Sequence, residues 1–172
     1  IEQLKKLDMF LRNISSVLTG AAISQAIPII GSLVIAKIFS TADYGIYSSW
    51  LSFVLILSIP ITLRYDASIC IESPGEKRTN AVKATQLVII GMTLFFTSLS
   101  FILFTINVPG FKKLGLFLAL SIAPAAGMLA ICETWITQMA ADGKYRLLSL
   151  GRILQNTAIV FLQIIAGIVD NN

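Results

Sequence analysis

Five stretches without a charged side chain dominate this chain: residues 13–36, 44–63, 84–111, 114–132 and 153–169. About 20 apolar residues of helix cross the hydrocarbon core of a bilayer. A segment in lipid must also satisfy its own backbone, which a helix does. The expected fold is therefore all-α and integral to a membrane. Five transmembrane helices are expected at about 14–39, 44–64, 82–107, 114–140 and 147–169, within a single transmembrane domain covering 1–172. Ahead of them, Leu4, Leu7, Leu11 and Ile14 recur at helical spacing, with Lys5, Lys6 and Arg12 among them. Residues 1–13 read as an amphipathic helix lying at the membrane interface.

The charged residues orient the spans. Lys5, Lys6, Arg12, Arg64, Lys77, Arg78, Lys83, Lys144, Arg146 and Arg152 fall on one side of the alternating crossings; only Lys37, Lys112 and Lys113 fall on the other. By the positive-inside rule the N-terminus, 73–83 and 142–146 are expected on the cytoplasmic side. The net charge of +4 is accounted for by loops that face anionic headgroups, so no nucleic-acid partner is expected. Hydrophobic residues make up 56% and charged ones 13%, half the roughly 25% charged of a soluble domain. No connector is long enough for a soluble domain.

Chemistry is sparsely represented. The chain has no His, and Cys70 and Cys132 stand far apart without a CxxC pair, so no metal site or cofactor is expected; with Cys70 on the expected cytoplasmic side and Cys132 inside a span, no disulfide is expected either. Without His the commonest general base is missing, and no nucleophile elbow, zinc-protease or phosphate-loop motif occurs. An enzyme is not expected. The chain begins at Ile1 rather than Met and has an odd number of spans. It reads as the front part of a longer protein.

Several intramembrane residues are candidates for function. An ionisable group at the centre of a membrane helix costs about 2.5–3.5 kcal/mol on insertion scales, so it should face protein or water. Glu133 lies about two turns from the inner end of the fourth span, with Thr137 one turn further on the same face. It suits a carboxylate that binds a cation or proton; it equally suits a structural ion pair. Arg64 ends the second span and Arg152 opens the fifth, positions where snorkelling arginine is ordinary. Polar stripes run along three spans: Gln25, Pro28 and Ser32; Gln86, Thr93, Thr97 and Ser100; and Arg152, Gln155, Asn156 and Gln163. They suit a water-filled cavity, and they also suit hydrogen bonding between helices. Pro28 removes a backbone donor to the Ser24 carbonyl and should loosen the first span there. Pro28-x-x-Gly31 is echoed by Pro124-x-x-Gly127 in a span of opposite direction. Such paired interruptions mark moving helices in inverted-repeat transporters, although Pro and Gly are common in membrane helices generally.

Three runs carry a resemblance: Gly20 to Pro28, Ile38 to Gly45 with Thr41, Asp43 and Tyr44, and Leu63-Arg64-Tyr65-Asp66. Together with the order of Trp135, Gln138, Tyr145, Arg146, Arg152 and Gln155, they resemble the opening of the polysaccharide and O-antigen flippases. That family belongs to the MATE-like superfamily of multidrug, oligosaccharidyl-lipid and polysaccharide exporters. The resemblance implies a two-lobe transporter of the bacterial inner membrane, with these five helices forming most of the first lobe. It further implies that an undecaprenyl-pyrophosphate-linked oligosaccharide is flipped from the inner to the outer leaflet by alternating access. Membrane lipids and polysaccharide polymerase or assembly proteins would be its partners. Arg64 and Arg152 would then face the anionic headgroup, with Gln25 and Asn156 in the cavity. Glu133 departs from a simple cationic cavity and would serve ion or proton coupling, with Pro28 and Pro124 as hinges. A multidrug or cation exporter of the same superfamily is the alternative, as is a membrane enzyme or scaffold of polysaccharide synthesis.

Overall fold

The computed structural model describes residues 2–108 and 115–170, with side chains given from residue 15 onward apart from 16, 162 and 165–170. Lys112, Lys113 and the side chains of the expected interfacial segment lie outside this description. Six helices make up the described fold: α1 (Glu2–Ile38), α2 (Thr41–Ile61), α3 (Ala67–Ile71), α4 (Glu76–Thr105), α5 (Leu116–Ala141) and α6 (Tyr145–Asp170). Among the described residues four segments are long and apolar enough to cross a membrane: Val17–Ile38, Thr41–Ile61, Glu76–Thr105 and Leu116–Ala141. The segment expected as the fifth span forms the 26-residue helix α6, which is not among those four.

The surface shows what solvent this fold is built for. Phe117 is 83% exposed and Met128 72%, whereas Ala119, Ala123 and Ala126 of the same helix are 0% exposed. A water-soluble helix would bury the large residues and expose the small ones. Here small residues face protein, where they let backbones approach, and large apolar ones face outward, as lipid requires. The chain is an all-α integral membrane protein.

Helix ends differ from expectation in informative ways. The backbone of 2–13 is not a separate interfacial helix but the start of α1, which continues to Ile38. Only Phe39 and Ser40 separate α1 from α2, so most of the expected outer connector is already helical. Helix α4 closes on Asn107 at φ 62, with the Asn107 amide bonded to Phe104 O and the Val108 amide to Leu103 O. That is a Schellman motif, with asparagine tolerating the left-handed position usually given to glycine.

The helices group into two compact units, 1–41 with 142–172, and 42–141. In the first, α1 and α6 pack along their lengths. Gly20 lies against Ser149, Ser24 against Asn156 and Gly31 against Val160. Both sets of numbers rise together, so the helices run parallel, as a first and a fifth crossing must. In the second unit α4 and α5 pack closely and antiparallel, with Thr93 against Gly127 and Arg78 against Ala141. Helix α2 joins through longer side chains, its Val54 and Ile61 meeting Ile89, Ile122, Ala126 and Ala130 in one buried cluster. Trp50 is half-buried and donates its indole N–H to Ser121 Oγ at 3.0 Å, tying α2 to α5.

Candidate functional site

The second unit contains a polar pocket between the end of α2 and the C-terminal half of α5. Its geometry begins with a strained turn. Helix α2 stops at Ile61, just after Pro60 and three residues before the expected end of the span. Leu63 and Arg64 then take φ values of 47° and 58°. Two successive non-glycine residues in the left-handed region cost on the order of 1–3 kcal/mol each and persist only where surroundings over-determine them. The surroundings here are explicit. Thr62 Oγ1 accepts the Arg64 amide at 3.1 Å while donating to Ile59 O, and the Tyr65 amide bonds Thr62 O at 2.9 Å. The turn delivers the chain into α3, whose Ile69 is completely buried.

The result is a cavity of about 200 Å³ lined by Ser58, Thr62, Arg64 and Asp66 on one side and by Glu133 and Thr137, with Ala130, on the other. Glu133 and Thr137 are one helical turn apart on α5 and so share its face. The Ser58 and Thr62 hydroxyls donate to carbonyls of their own helix, Leu55 O and Ile59 O; the Ser58 oxygen is left as an acceptor, and the Thr62 oxygen, which already accepts the Arg64 amide, retains one lone pair. Asp66 Oδ1 is buried and has no hydrogen-bond partner. Among the described residues no ion pair within 4 Å joins Arg64, Asp66 or Glu133. One fixed cation therefore shares the pocket with two carboxylates and several acceptor oxygens. Chemically this can hold a small cation or a proton between carboxylates, or offer the planar guanidinium fork to an anion. A water occupies roughly 30 Å³ of liquid volume, and drug-sized ligands need about 300 Å³ or more. The pocket is smaller than a site that encloses a drug-sized ligand and has room for an ion with its waters.

The structure thus brings Arg64 and Glu133 together. Arg152, Asn156, Gln25 and Pro28 belong to the first unit. Arg152 is half-buried on α6 and Gln25 is exposed on α1, one residue off the face that packs against α6. Asn156 is engaged already, donating Nδ2 to Ser24 O at 2.6 Å. Pro124 lies on the exposed side of α5. Of the polar stripe on α4, Thr93 faces Gly127 with its Oγ1 buried and without a hydrogen-bond partner, the Thr97 hydroxyl donates to Thr93 O of its own helix at 2.7 Å, and Ser100 is buried.

Two residues that matter here were not singled out as site candidates. Asp66 enters the sequence reading only as the last residue of the Leu63–Asp66 run, yet it reaches the pocket through the left-handed turn at Leu63 and Arg64. Arg78 reads as one more basic connector residue. It is 7% exposed and donates to Ala141 O at 3.1 Å and to Glu72 O at 3.0 Å, closing the C-terminal ends of α5 and α3. A cation at the negative end of a helix dipole is favourably placed.

Comparison with known proteins gives one finding. A family model described as polysaccharide biosynthesis protein matches residues 10–169. No curated protein and no solved structure matches the chain.

Proposed function

The chain belongs to the polysaccharide biosynthesis protein family, and from that premise we propose that it is a transporter rather than an enzyme. Its cargo is an undecaprenyl-pyrophosphate-linked oligosaccharide, which it flips from the inner to the outer leaflet of the bacterial cell membrane by alternating access. The observation that carries the reading is the pocket of Arg64, Asp66 and Glu133, set between helices whose outward surfaces are apolar. Charged groups within a membrane are costly unless they face water or a partner; no ion pair joins these three among the described residues, and the exposure of Arg64 and Glu133 supports a water-facing site. The small volume and the two carboxylates support a coupling site, at which an ion or proton neutralises the acids. Occupancy of that site would set how strongly Arg64 is drawn to its neighbours, and hence its availability to the pyrophosphate.

Glu133→Gln preserves shape and removes one charge. In a complementation assay for surface polysaccharide it is expected to change the dependence of transport on the ion or proton gradient while protein abundance stays near normal. If abundance falls instead and the gradient dependence is unchanged, Glu133 has a packing role. The excess of acid over base in the pocket favours one second reading, a cation or multidrug exporter of the MATE-like superfamily. That reading forecasts drug resistance on expression and no rescue of surface polysaccharide.

A further inference from the structure

Pro28 lies inside α1 and has no N–H, so the Ser24 carbonyl one turn earlier receives no bond from its own helix. Ser24 is only 2% exposed. An unserved carbonyl at such a place is among the costliest groups a membrane helix can carry, and helices with proline survive when a neighbour supplies the missing partner. Asn156 of α6 is that neighbour, its Nδ2 donating to Ser24 O at 2.6 Å.

The contact is built on both helices. A Cβ on Gly20 would run into the Ser149 side chain, and one on Gly31 would lie 2.6 Å from Val160 Cγ1. Positions 20, 24 and 31 are separated by four and seven residues, which places them on one face of α1; 149, 156 and 160 do the same for α6. Small residues above and below let the backbones come close enough for a short amide to reach a main-chain oxygen.

We infer that Asn156 is a positioning residue that replaces the backbone donor Pro28 lacks. The proline break in α1 is closed by α6, and α1 bends at Pro28 only as the Ser24–Asn156 bond opens. Pro28 is thus half of a clasp shared by two helices, not a free hinge in one. The inference does not depend on what the protein carries.

Four forms of the full-length protein test it by thermal stability in detergent: native, Asn156→Leu, Pro28→Ala and the double variant. Asn156→Leu keeps the volume but strips the donor, and it is expected to lower the midpoint by a few degrees. Pro28→Ala restores the N–H at position 28, so Ser24 O is bonded within α1. In that background Asn156→Leu is expected to cost nothing, or to raise the midpoint by removing an amide left without its acceptor. Equal losses from Asn156→Leu in both backgrounds overturn the inference, as does no loss in the native one. If Asn156→Leu alone yields no folded protein, adding Pro28→Ala is expected to restore it, and failure to do so is equally contradictory.

Discussion

At Arg64 a strained backbone and a charged side chain meet in one residue. Thr62 holds the Arg64 amide and the left-handed turn at 63 and 64 aims the chain toward Asp66. The fork of arginine binds phosphate oxygens in a bidentate way that lysine, a point charge, cannot reproduce. Graded losses are expected in complementation for surface polysaccharide: partial for Arg64→Lys, and about tenfold or more for Arg64→Ala, the scale of a lost hydrogen bond to a charged group. Full surface polysaccharide with Arg64→Ala would mean that the arginine only snorkels at the boundary. Glu133 stood out as a candidate because it is a carboxylate near the end of an apolar span, and Arg64 because the resemblance to the flippases implied it. Their meeting was not legible, since it depends on the φ values of two ordinary residues, and nothing in Leu63 or Arg64 signals a left-handed backbone. Asp66 was missed for the same reason.

Among the helices, packing is decided by where small residues lie. On α5, Ala119, Ala123, Ala126, Gly127, Ala130 and Thr134 are all buried, spaced by three and four so that they form one seam. At Gly127 an added Cβ would collide with Thr93 Oγ1, whereas at Gly91 of α4 nothing lies within 4 Å. Gly127→Val is therefore expected to separate α4 from α5 and to destabilise by about 1–3 kcal/mol, as overpacking does. Gly91→Ala is expected to be neutral or slightly stabilising, since glycine is the poorer helix former. Thermal stability in detergent checks both, and equal losses would contradict the seam. The approximate extent of the long helices follows from the charge-free runs, because length and apolarity act locally, whereas the short helix α3 and the fusion of 2–13 into α1 do not. Nor do partnerships. The Arg78–Ala141 bond joins residues 63 apart and the Asn156–Ser24 bond residues 132 apart, distances over which a single sequence holds no pairing signal. The stripes on α1, α4 and α6 were legible as polar faces; Thr93 and Asn156 serve helix contacts because small neighbours admit close approach.

For the whole molecule, sidedness is the first quantity to settle, because the direction of transport is defined by it. By the positive-inside rule, the ten-to-three division of Lys and Arg predicts a cytoplasmic N-terminus with 73–83 and 142–146 on the same side. Cys70 and Cys132 are exposed, so the labelling background replaces both. In intact cells a membrane-impermeant thiol reagent is expected to label Asp43→Cys and to spare Glu76→Cys, and the opposite pattern would reverse the orientation. The central claim is that the protein moves a glycolipid across the bilayer without altering it. The most direct measurement reconstitutes the purified full-length protein into vesicles carrying a lipid-linked oligosaccharide in one leaflet. The account predicts that the oligosaccharide becomes accessible on the opposite face, chemically unchanged, at a rate that Glu133→Gln makes less sensitive to an imposed gradient. Chemical turnover of the lipid-linked sugar, or no movement beyond that of protein-free vesicles, would contradict it.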